Sequence, residues 1–314
     1  MSVATRQAGN FLGRQLEQKL PKLYEKKFPR KWAYEGAYLP AIPDLEMGAE
    51  TLVEETITET GEASIYSDLT DDIATAEIVT EEFDFRAVCV VSCIKYSVLQ
   101  LLKAQKAGRD IRTRKLGAGM RSIAERIHRL AVFGSAKHGM QGMFNSRNIP
   151  KDISSYDPNT ATFDDHLDFA VDNMTRVEND SNNTEGVRTI MLPTNVRKQW
   201  AKSRTGGTSD SVIKYLFENF GTQAGGTLQN IVTINEARSD QLEQQGVLTP
   251  GSNQDLIFFS SQDPESLERH FYPIDQLEPQ LHGMTYKVYM FGGTSEMVDH
   301  YPEGNLEVLI TKAN

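Results

Sequence analysis

The strongest periodic pattern of apolar positions along the chain lies between Gly108 and Phe133. Apolar residues recur there at the spacing of one helix face: Leu116, Met120, Ile123, Ala124, Ile127, Leu130 and Ala131. Asp110 is a residue type that caps helix starts, and Gly134 follows the last apolar position as helix-ending glycines do. The pattern therefore predicts one amphipathic helix between these two residues, about 23 residues and roughly 35 Å long.

The face of this helix opposite the apolar stripe is basic. Between Lys103 and His138 the sequence has ten Lys and Arg residues and two acidic residues, a local charge of +8 in a chain whose formal charge is −10. A basic helix face is by default a solvated one, so its charge alone leaves a binding role open. An acidic segment precedes the helix in the sequence. We therefore favour the interpretation that the basic face binds an acidic partner over the interpretation that it is merely solvated.

Residues 50–85 have the opposite character, with twelve acidic residues and no Lys or Arg. Stretches rich in threonine and isoleucine at 51–60 and 73–82 flank a turn-rich centre, which predicts a long β-hairpin. Alternate positions mix apolar and acidic residues, so neither face could form half of a core, and a lone two-stranded ribbon is marginal in water. One interpretation is an acidic edge hairpin kept soluble by its charge; the other is an arm that folds onto a basic surface. The charge pattern favours the arm.

The first 48 residues predict a second arm. Leucines at helical spacing are followed by a basic, aromatic stretch in which Pro21, Pro29, Pro40 and Pro43 prevent one continuous helix. The segment has eight basic and five acidic residues. A helix on a membrane surface is the alternative, but the prolines interrupt its amphipathic face early. The aromatic residues lack an obvious core of their own and are expected to be arm contacts: Phe28, Trp32, Tyr34 and Tyr38.

Strand and helix patterns alternate between residues 186 and 262, which predicts a mixed α/β lobe. The glycine-rich linkers of this lobe, at 204–209 and 221–227, lack the G-K-[ST] sequence, so they give phosphate binding no support. Further strands are predicted outside the lobe, at residues 87–94, 284–291 and 306–311.

The composition is that of a folded, soluble globular protein, with 39% hydrophobic and 24% charged residues. No apolar run approaches the roughly 18 residues of a membrane span, and the N-terminus lacks the apolar core of a signal peptide. We therefore expect a protein of the cytoplasm without a membrane partner. Cys89 and Cys93 lie on one face of an apolar strand, roughly 13 Å apart, which predicts two buried thiols and no disulfide.

Candidate catalytic and metal-binding residues are sparse. The six histidines include no H-E-x-x-H pair, and the sequence has no G-x-S-x-G nucleophile motif. His138, in a glycine-rich loop, is the best candidate, but a histidine whose ring hydrogen-bonds that loop explains it as well. We therefore predict no catalytic site, no cofactor and no metal centre.

The stretch from Ile65 to Ile149 resembles tailed-phage major capsid proteins of the Hong Kong 97-type fold, most closely the encapsulin-like subgroup. In that subgroup a strand, a short helix, an Ala-Gly break, a long basic helix and a loop with spaced glycines follow one another. The resemblance extends more sparsely over residues 45–312, and the first 40 residues match nothing that we can name. The loop pattern is present at Ala131, Phe133, Gly134, His138, Gly139, Gly142 and Asn145.

The resemblance implies an α+β capsid fold of the Hong Kong 97 type with four parts. These are an N-terminal arm at 1–48, an extended β-hairpin loop at 49–85, a peripheral domain at 86–185 and 263–314 that contains a spine helix at 110–133, and an axial α/β domain at 186–262. The resemblance also implies a structural subunit and no enzyme. Hexamers and pentamers of this subunit would form the icosahedral shell around the genome of a tailed double-stranded DNA phage.

The partners implied by the resemblance are other copies of this chain, packaged DNA through non-specific contact, and portal, scaffold and decoration proteins. The protein would belong to the virion, and to the host cytoplasm during assembly. One alternative is the shell of an encapsulin nanocompartment. A more remote one is a soluble α/β hydrolase or nucleotide-binding enzyme that uses residues 186–262 and His138.

In the resembled fold the extended loop crosses a neighbouring subunit, so we expect its carboxylates to lie near the neighbour's spine helix. Founding members of the fold can crosslink their subunits through a lysine on this loop, and residues 50–85 contain none, so we expect no covalent mesh. The carboxylates are Glu54, Glu55, Glu59, Glu62, Asp71 and Asp72. The basic residues, which face either this loop or the packaged DNA, are Arg112, Arg114, Lys115, Arg121, Arg126 and Arg129.

Overall fold

The computed structural model describes residues 28–61, 76–106, 110–202 and 210–313 of the 314-residue chain. Residues Lys31–Asn314 form one compact unit. The predicted α+β class is confirmed. The strands of the described residues are β1 (Ala41–Ile42), β2 (Thr51–Gly61), β3 (Ala76–Ser97), β4 (Lys151–Ile153), β5 (Thr189–Leu192), β6 (Asn230–Thr233), β7 (Gln254–Ser260), β8 (Leu267–Gln276), β9 (Gln280–His282), β10 (Thr285–Asp299) and β11 (Asn305–Thr311). The helices are α1 (Val98–Lys106), α2 (Ile111–Phe133), α3 (Phe163–Asp180), α4 (Thr194–Trp200), α5 (Val212–Phe220) and α6 (Ser239–Gln245).

The first sheet carries the hairpin that the sequence predicts. Its strands lie in the order β1-β8-β10-β3-β2, and β9 pairs with β10. The strand β3 is 22 residues long: its second half pairs with β10 inside the sheet, and its first half pairs with β2. Residues 51–61 and 76–86 thus form a two-stranded extension of the sheet, which we call the ribbon. The sequence pattern suggested separate strands at 73–82 and 87–94, but no glycine or proline interrupts residues 76–97, and they form one strand.

The long helix predicted between Asp110 and Gly134 is α2, and we call it the spine helix. The Asp110 side chain accepts a hydrogen bond from the amide of Thr113, one of the unpaired amides of the first turn. Gly134 ends the helix with a φ of 68° and donates its amide to the carbonyl of Leu130. Both predicted ends of the helix are therefore confirmed.

The spine helix packs on one face of the first sheet. Ile123 and Ile127 are fully buried there against Met290 of β10. The apolar stripe differs from the prediction at Met120, which is 38% exposed. The residue that faces the sheet one turn before Ile123 is Gly119, whose missing side chain leaves room for the end of the Met290 side chain.

The second sheet lies between two hydrophobic cores. Its strands have the order β4-β11-β7-β5-β6. On one face, α3, α4 and α5 cover side chains such as Ile190 and Phe259. On the other face, Met191 and Phe258 pack with the end of the spine helix and with α6. Because β11 pairs with β7, the last strand of the chain joins the sheet of the predicted 186–262 lobe.

Residues 31–39 are part of the core beside the spine helix. Trp32 is only 5% exposed, and Tyr38 packs against the same cluster. Tyr34 is also partly buried, while Phe28 is exposed. The expectation that these aromatic residues lack a core of their own is therefore wrong for Trp32. Its partners are distant in sequence, so the local pattern could not reveal them.

The two cysteines are exposed, contrary to the expectation of buried thiols. Cys89 and Cys93 lie on the same side of β3, as predicted. That side faces away from the spine helix, which covers Val90 and Ile94 on the other side. The apolar run around the cysteines is thus covered on one face of the strand only.

We predict that Gly119→Val lowers the free energy of unfolding by about 1–3 kcal/mol through overpacking. A Cβ at Gly119 would lie 2.0 Å from the terminal methyl of Met290 and 3.0 Å from Ile94, so a branched side chain must displace these two side chains in the core. Gly117→Val is the matched control, because a Cβ at Gly117 meets nothing within 4 Å. Both substitutions change the helix propensity by the same amount, since both replace glycine by valine within the same helix. Urea unfolding of the full-length chains measures both, and equal losses would contradict the prediction.

Glu307 on β11 makes unfolding depend on pH. Burial raises the pKa of its carboxyl group to about 7, although Lys151 lies 3.2 Å away and opposes the shift. A carboxyl group whose pKa is raised by folding contributes fully to the stability of the folded state below the pKa that it has in the unfolded chain. This contribution is lost as the pH rises through the folded-state value of about 7. We predict that Glu307→Gln gains stability relative to the unmodified chain between about pH 5 and 8, by at most about 3 kcal/mol. A difference in unfolding free energy that stays constant over this range would contradict the prediction.

Candidate assembly interface

The pairing register of the ribbon defines two different faces. Glu55 lies opposite Glu82, and Glu54 lies opposite Phe83, so these two pairs point to opposite sides. We call the two sides the free face and the body face. The free face carries Val53, Glu55, Ile57, Glu59, Ile78, Glu82 and Asp84. The body face carries Leu52, Glu54, Glu77, Val79, Glu81, Phe83 and Phe85.

The free face is a mixed apolar and acidic surface. Val53, Ile57 and Ile78 are 58%, 64% and 70% exposed. On the body face, Leu52 and Phe85 are partly buried near the point where the ribbon joins the sheet. Neither face forms a core, as the sequence predicts, and a two-stranded ribbon on its own is marginal in water.

The root of the ribbon is fixed by hydrogen bonds to the body. The buried carboxylate of Glu296 on β10 accepts one hydrogen bond from the amide of Arg86 at 2.7 Å and another from the amide of Gln141 at 2.9 Å. The Arg86 guanidinium donates to the carbonyl of His138 at 3.1 Å. These bonds hold β3 against the glycine-rich loop, at the position where the strand leaves the sheet.

The glycine pattern of that loop follows from a close approach of two backbone segments. A Cβ on Gly142 would lie 2.1 Å from the amide nitrogen of Gly134. A Cβ on Gly134 would lie 2.4 Å from the carbonyl oxygen of Met140. Gly139 has a φ of 65°, which suits glycine. His138, the best catalytic candidate of the sequence, is exposed, and its backbone carbonyl accepts the hydrogen bond from Arg86. Its contact here is therefore structural.

The predicted carboxylates of the hairpin fall into three groups. Glu55 and Glu59 are exposed on the free face of the ribbon. Glu54, on the body face, pairs within its own chain: its Oε1 lies 2.5 Å from Nδ1 of His300. The other predicted carboxylates, Glu62, Asp71 and Asp72, lie outside the described residues.

The predicted basic residues of the spine helix also divide. Lys115 donates to the carbonyl of Lys95 at 2.7 Å and to the side chain of Gln100 at 3.1 Å, so it ties the helix to β3 and α1. Arg129 pairs with Glu125 of the same helix at 3.1 Å. The exposed residues of the set are Arg112, Arg114, Arg121, Arg126 and Arg129.

A polar cluster that sequence reasoning missed joins the spine helix to the segment between β6 and α6. His128 Nε2 lies 3.0 Å from a carboxylate oxygen of Glu236, and the Trp32 indole donates to the other oxygen at 3.4 Å. Burial alone would raise the pKa of Glu236, but the hydrogen bonds from His128 and Trp32 and the charge of His128 outweigh it and lower the pKa. The only sequence signal was a histidine beside the apolar face of the predicted helix.

Among residues 28–61, 76–106, 110–202 and 210–313, no group of three His, Cys, Asp or Glu side chains is arranged to hold a metal ion. In the same part of the chain, no helix has both the length and the apolar character needed to cross a membrane.

The ribbon has no core of its own, its root is fixed to the body, and the spine helix is basic. These features are typical of one class of protein, a structural subunit that contacts other subunits. The chain belongs to the major capsid protein family, whose model matches residues 61–305. It is therefore a structural, non-enzymatic capsid protein and a component of the virion. Subunits of this family assemble with one another into a shell.

Solved structures share the Hong Kong 97-type fold with this chain. The capsid protein of Myoviridae phage XM1 has a TM-score of 0.77 at 14% identity, over 94% of this chain and 97% of that one. A protein of Gordonia phage Cozz has a TM-score of 0.60 at 12% identity, over 96% and 94%. A virus-like particle from Pyrococcus furiosus has a TM-score of 0.50 at 10% identity, over 85% and 89%. No curated protein sequence matches the chain.

Proposed function

We propose that this subunit forms the hexamers and pentamers of an icosahedral shell, and that its ribbon lies across the spine helix of a neighbouring subunit. The free face of the ribbon carries this proposal. Val53, Ile57 and Ile78 are exposed there although they are apolar, and a neighbour that covers them removes this surface from water. The carboxylates between them require basic or polar partners once they are covered.

The spine helix of a neighbour offers such partners. Its exposed residues include Arg112, Arg121 and Arg126, and the segment around it is strongly basic in an otherwise acidic chain. One exposed ion pair contributes only about 0–1 kcal/mol. In a closed symmetric shell the same contact recurs in every subunit, so weak pairs together influence assembly.

Packaged DNA is the second proposed partner of the spine helix. Attraction to phosphates is independent of sequence and needs only a local basic surface, because the chain as a whole is acidic. We assign to DNA those basic side chains that the neighbouring ribbon leaves uncovered. Portal, scaffold and decoration proteins complete the proposed set of partners, with assembly in the host cytoplasm.

The division into shell regions is part of the same proposal. Residues 186–262, together with β11 in the same sheet, would surround the axis of each capsomer. The first sheet and the spine helix would form the periphery, with the extended loop at 49–85 projecting from it. Because Trp32 packs in the core beside the spine helix, we restrict the proposed N-terminal arm to residues before Lys31.

A shell that encloses protein cargo, as in the encapsulin alternative, is the second candidate. The likeness to the virus-like particle from Pyrococcus furiosus supports it, but with a lower TM-score than the likeness to the capsid of phage XM1. Particles from the natural source distinguish the two. Nuclease-resistant double-stranded DNA inside them is expected, and protein cargo without DNA would favour the alternative.

We predict that the double variant Glu55→Lys/Glu59→Lys reduces the yield of closed shells at low salt about tenfold, because the new lysines repel the arginines of the neighbour. The difference should shrink at about 1 M salt, where the Debye length is only about 3 Å. Size-exclusion chromatography and negative-stain microscopy of the full-length protein measure the yield. Glu54 is left unchanged because it pairs within its own chain.

The matched control for this test is Glu77→Lys/Glu81→Lys, which makes the same change of charge on the body face of the same ribbon. We expect this control to assemble better than the free-face variant. Normal low-salt assembly of Glu55→Lys/Glu59→Lys would mean that these carboxylates are merely solvated and that the spine helix is left to DNA. A wild-type chain that stays a compact monomer or dimer would overturn the shell itself.

We predict that the shell has no covalent mesh through this loop, because residues 50–85 contain no lysine. Boiled and reduced shells should run on a denaturing gel as one band at the 35.2 kDa of the single chain. Shell strength then comes from noncovalent contacts. A ladder of bands at multiples of that mass would refute the prediction.

A further inference from the structure

Five side chains form an alternating row of carboxylates and imidazoles beneath the ribbon. Glu54 of β2 contacts Nδ1 of His300 at 2.5 Å, and Nε2 of His300 lies 3.3 Å from Glu268 of β8. The same Glu268 oxygen lies 3.0 Å from Nε2 of His270, whose Nδ1 lies 2.6 Å from Asp44. The row therefore connects the ribbon to the end of β10, to β8 and to the segment that follows β1.

The number of protons in this row decides how many of its contacts are attractive. Carboxylates only accept, and a neutral imidazole has one N–H, whereas a protonated imidazole has two. Each of the two histidines has a carboxylate oxygen at both ring nitrogens. The contacts of His270 with Asp44 and of His300 with Glu268 have hydrogen-bond geometry, and the other two are close ion-pair contacts. All four contacts are attractive only when both rings are protonated. If a ring loses its proton, one of its contacts places a nitrogen lone pair against a carboxylate.

The grooves on either side of His300 are lined mainly by carboxylates. Apart from Tyr301, every other titratable side chain that lines the two grooves beside His300 is a carboxylate. Arg269, between Glu268 and His270 on β8, points to the other side of the strand, where it donates to Thr294 and to the carbonyl of Ala33. The groove carboxylates are Glu54, Glu55, Glu185, Glu265 and Glu268 on one side and Asp180 and Glu303 on the other.

We propose that this row is a proton-dependent clamp, which holds the ribbon root against the body when His270 and His300 are protonated and loosens it when they are neutral. Glu268 is the shared centre of the clamp and is buried, while Glu54 is its only member on the ribbon. Histidine side chains change charge between about pH 5 and 8, so the clamp is closed at the acidic end of this range. The ribbon is thereby free to change its angle to the body at the basic end. The clamp is a property of the single subunit and does not depend on the proposed contact between neighbours.

Hydrogen exchange of the full-length, unassembled chain tests the clamp. The amides of β2 are followed by mass spectrometry at pH 5.5 and 8.5, with exchange times scaled to cancel the pH dependence of the exchange chemistry itself. We expect about tenfold greater protection of β2 at pH 5.5, because the close contact of Glu54 with His300 is an attractive ion pair only when the ring is protonated. Equal protection at the two pH values would overturn the proposal.

Two variants and one control assign the effect to these side chains. His300→Gln cannot gain a proton, so protection of β2 should fall to the pH 8.5 level at both pH values. Glu54→Gln can accept from a protonated ring or donate to a neutral one, so the pH difference should shrink while protection remains. His282→Gln, which changes an exposed histidine of β9 in the same sheet, should keep the full difference.

The buried strand β7 of the second sheet reports whether each variant is folded. If β7 loses protection in His300→Gln, that variant has not folded. The test of the clamp is then whether the pH difference in protection of β2 is smaller in Glu54→Gln than in the wild-type chain. A full wild-type pH difference in a folded His300→Gln chain, or in Glu54→Gln, would overturn the clamp.

Discussion

The ribbon and the body of this subunit share one backbone strand, and this continuity governs how the two can move. The second half of β3 pairs with β10, and the first half pairs with β2 beyond the edge of the sheet. A change in the ribbon angle must therefore occur where β3 leaves the sheet, at Arg86 and Ala87. Glu296 and the glycine-rich loop hold the strand at this position. Because the spine helix covers the other half of β3, a force on the ribbon also reaches the helix and its core.

Features set by neighbouring residues could be predicted from the sequence. The spine helix follows from its apolar period, and the residues that begin and end it, Asp110 and Gly134, act as predicted. The hairpin follows from its alternation and turn residues, and its mixed faces are as predicted because side-chain direction in a strand depends only on position. The glycine loop was recognised by resemblance, and its physical reason, the close approach of Gly134 and Gly142, needed coordinates.

Features set by long-range pairing could not be predicted. The indole of Trp32 donates to Glu236, which is 204 residues away, and the partner of Glu54 is a histidine beyond the end of β10. An apolar run such as that around Cys89 fits a strand buried on one face as well as one buried on both. Whether a cysteine is exposed then depends on which face the spine helix covers, and that is decided by the whole sheet. Glu54 was identified by charge together with Glu55 and Glu59, but the sequence could not show that it pairs with His300 of its own chain.

The acidic character of the ribbon also restricts what can pair with it. β2 is the edge strand of the first sheet, so its free backbone groups could pair with another strand, including a second copy of itself. Glu55 and Glu82 lie directly opposite each other, a like-charge pair that already weakens the isolated ribbon. A second ribbon beside the first would add further carboxylates and increase this repulsion. A basic surface relieves it, so the same charges that disfavour edge-to-edge aggregation of ribbons favour a helix such as the spine helix as the partner.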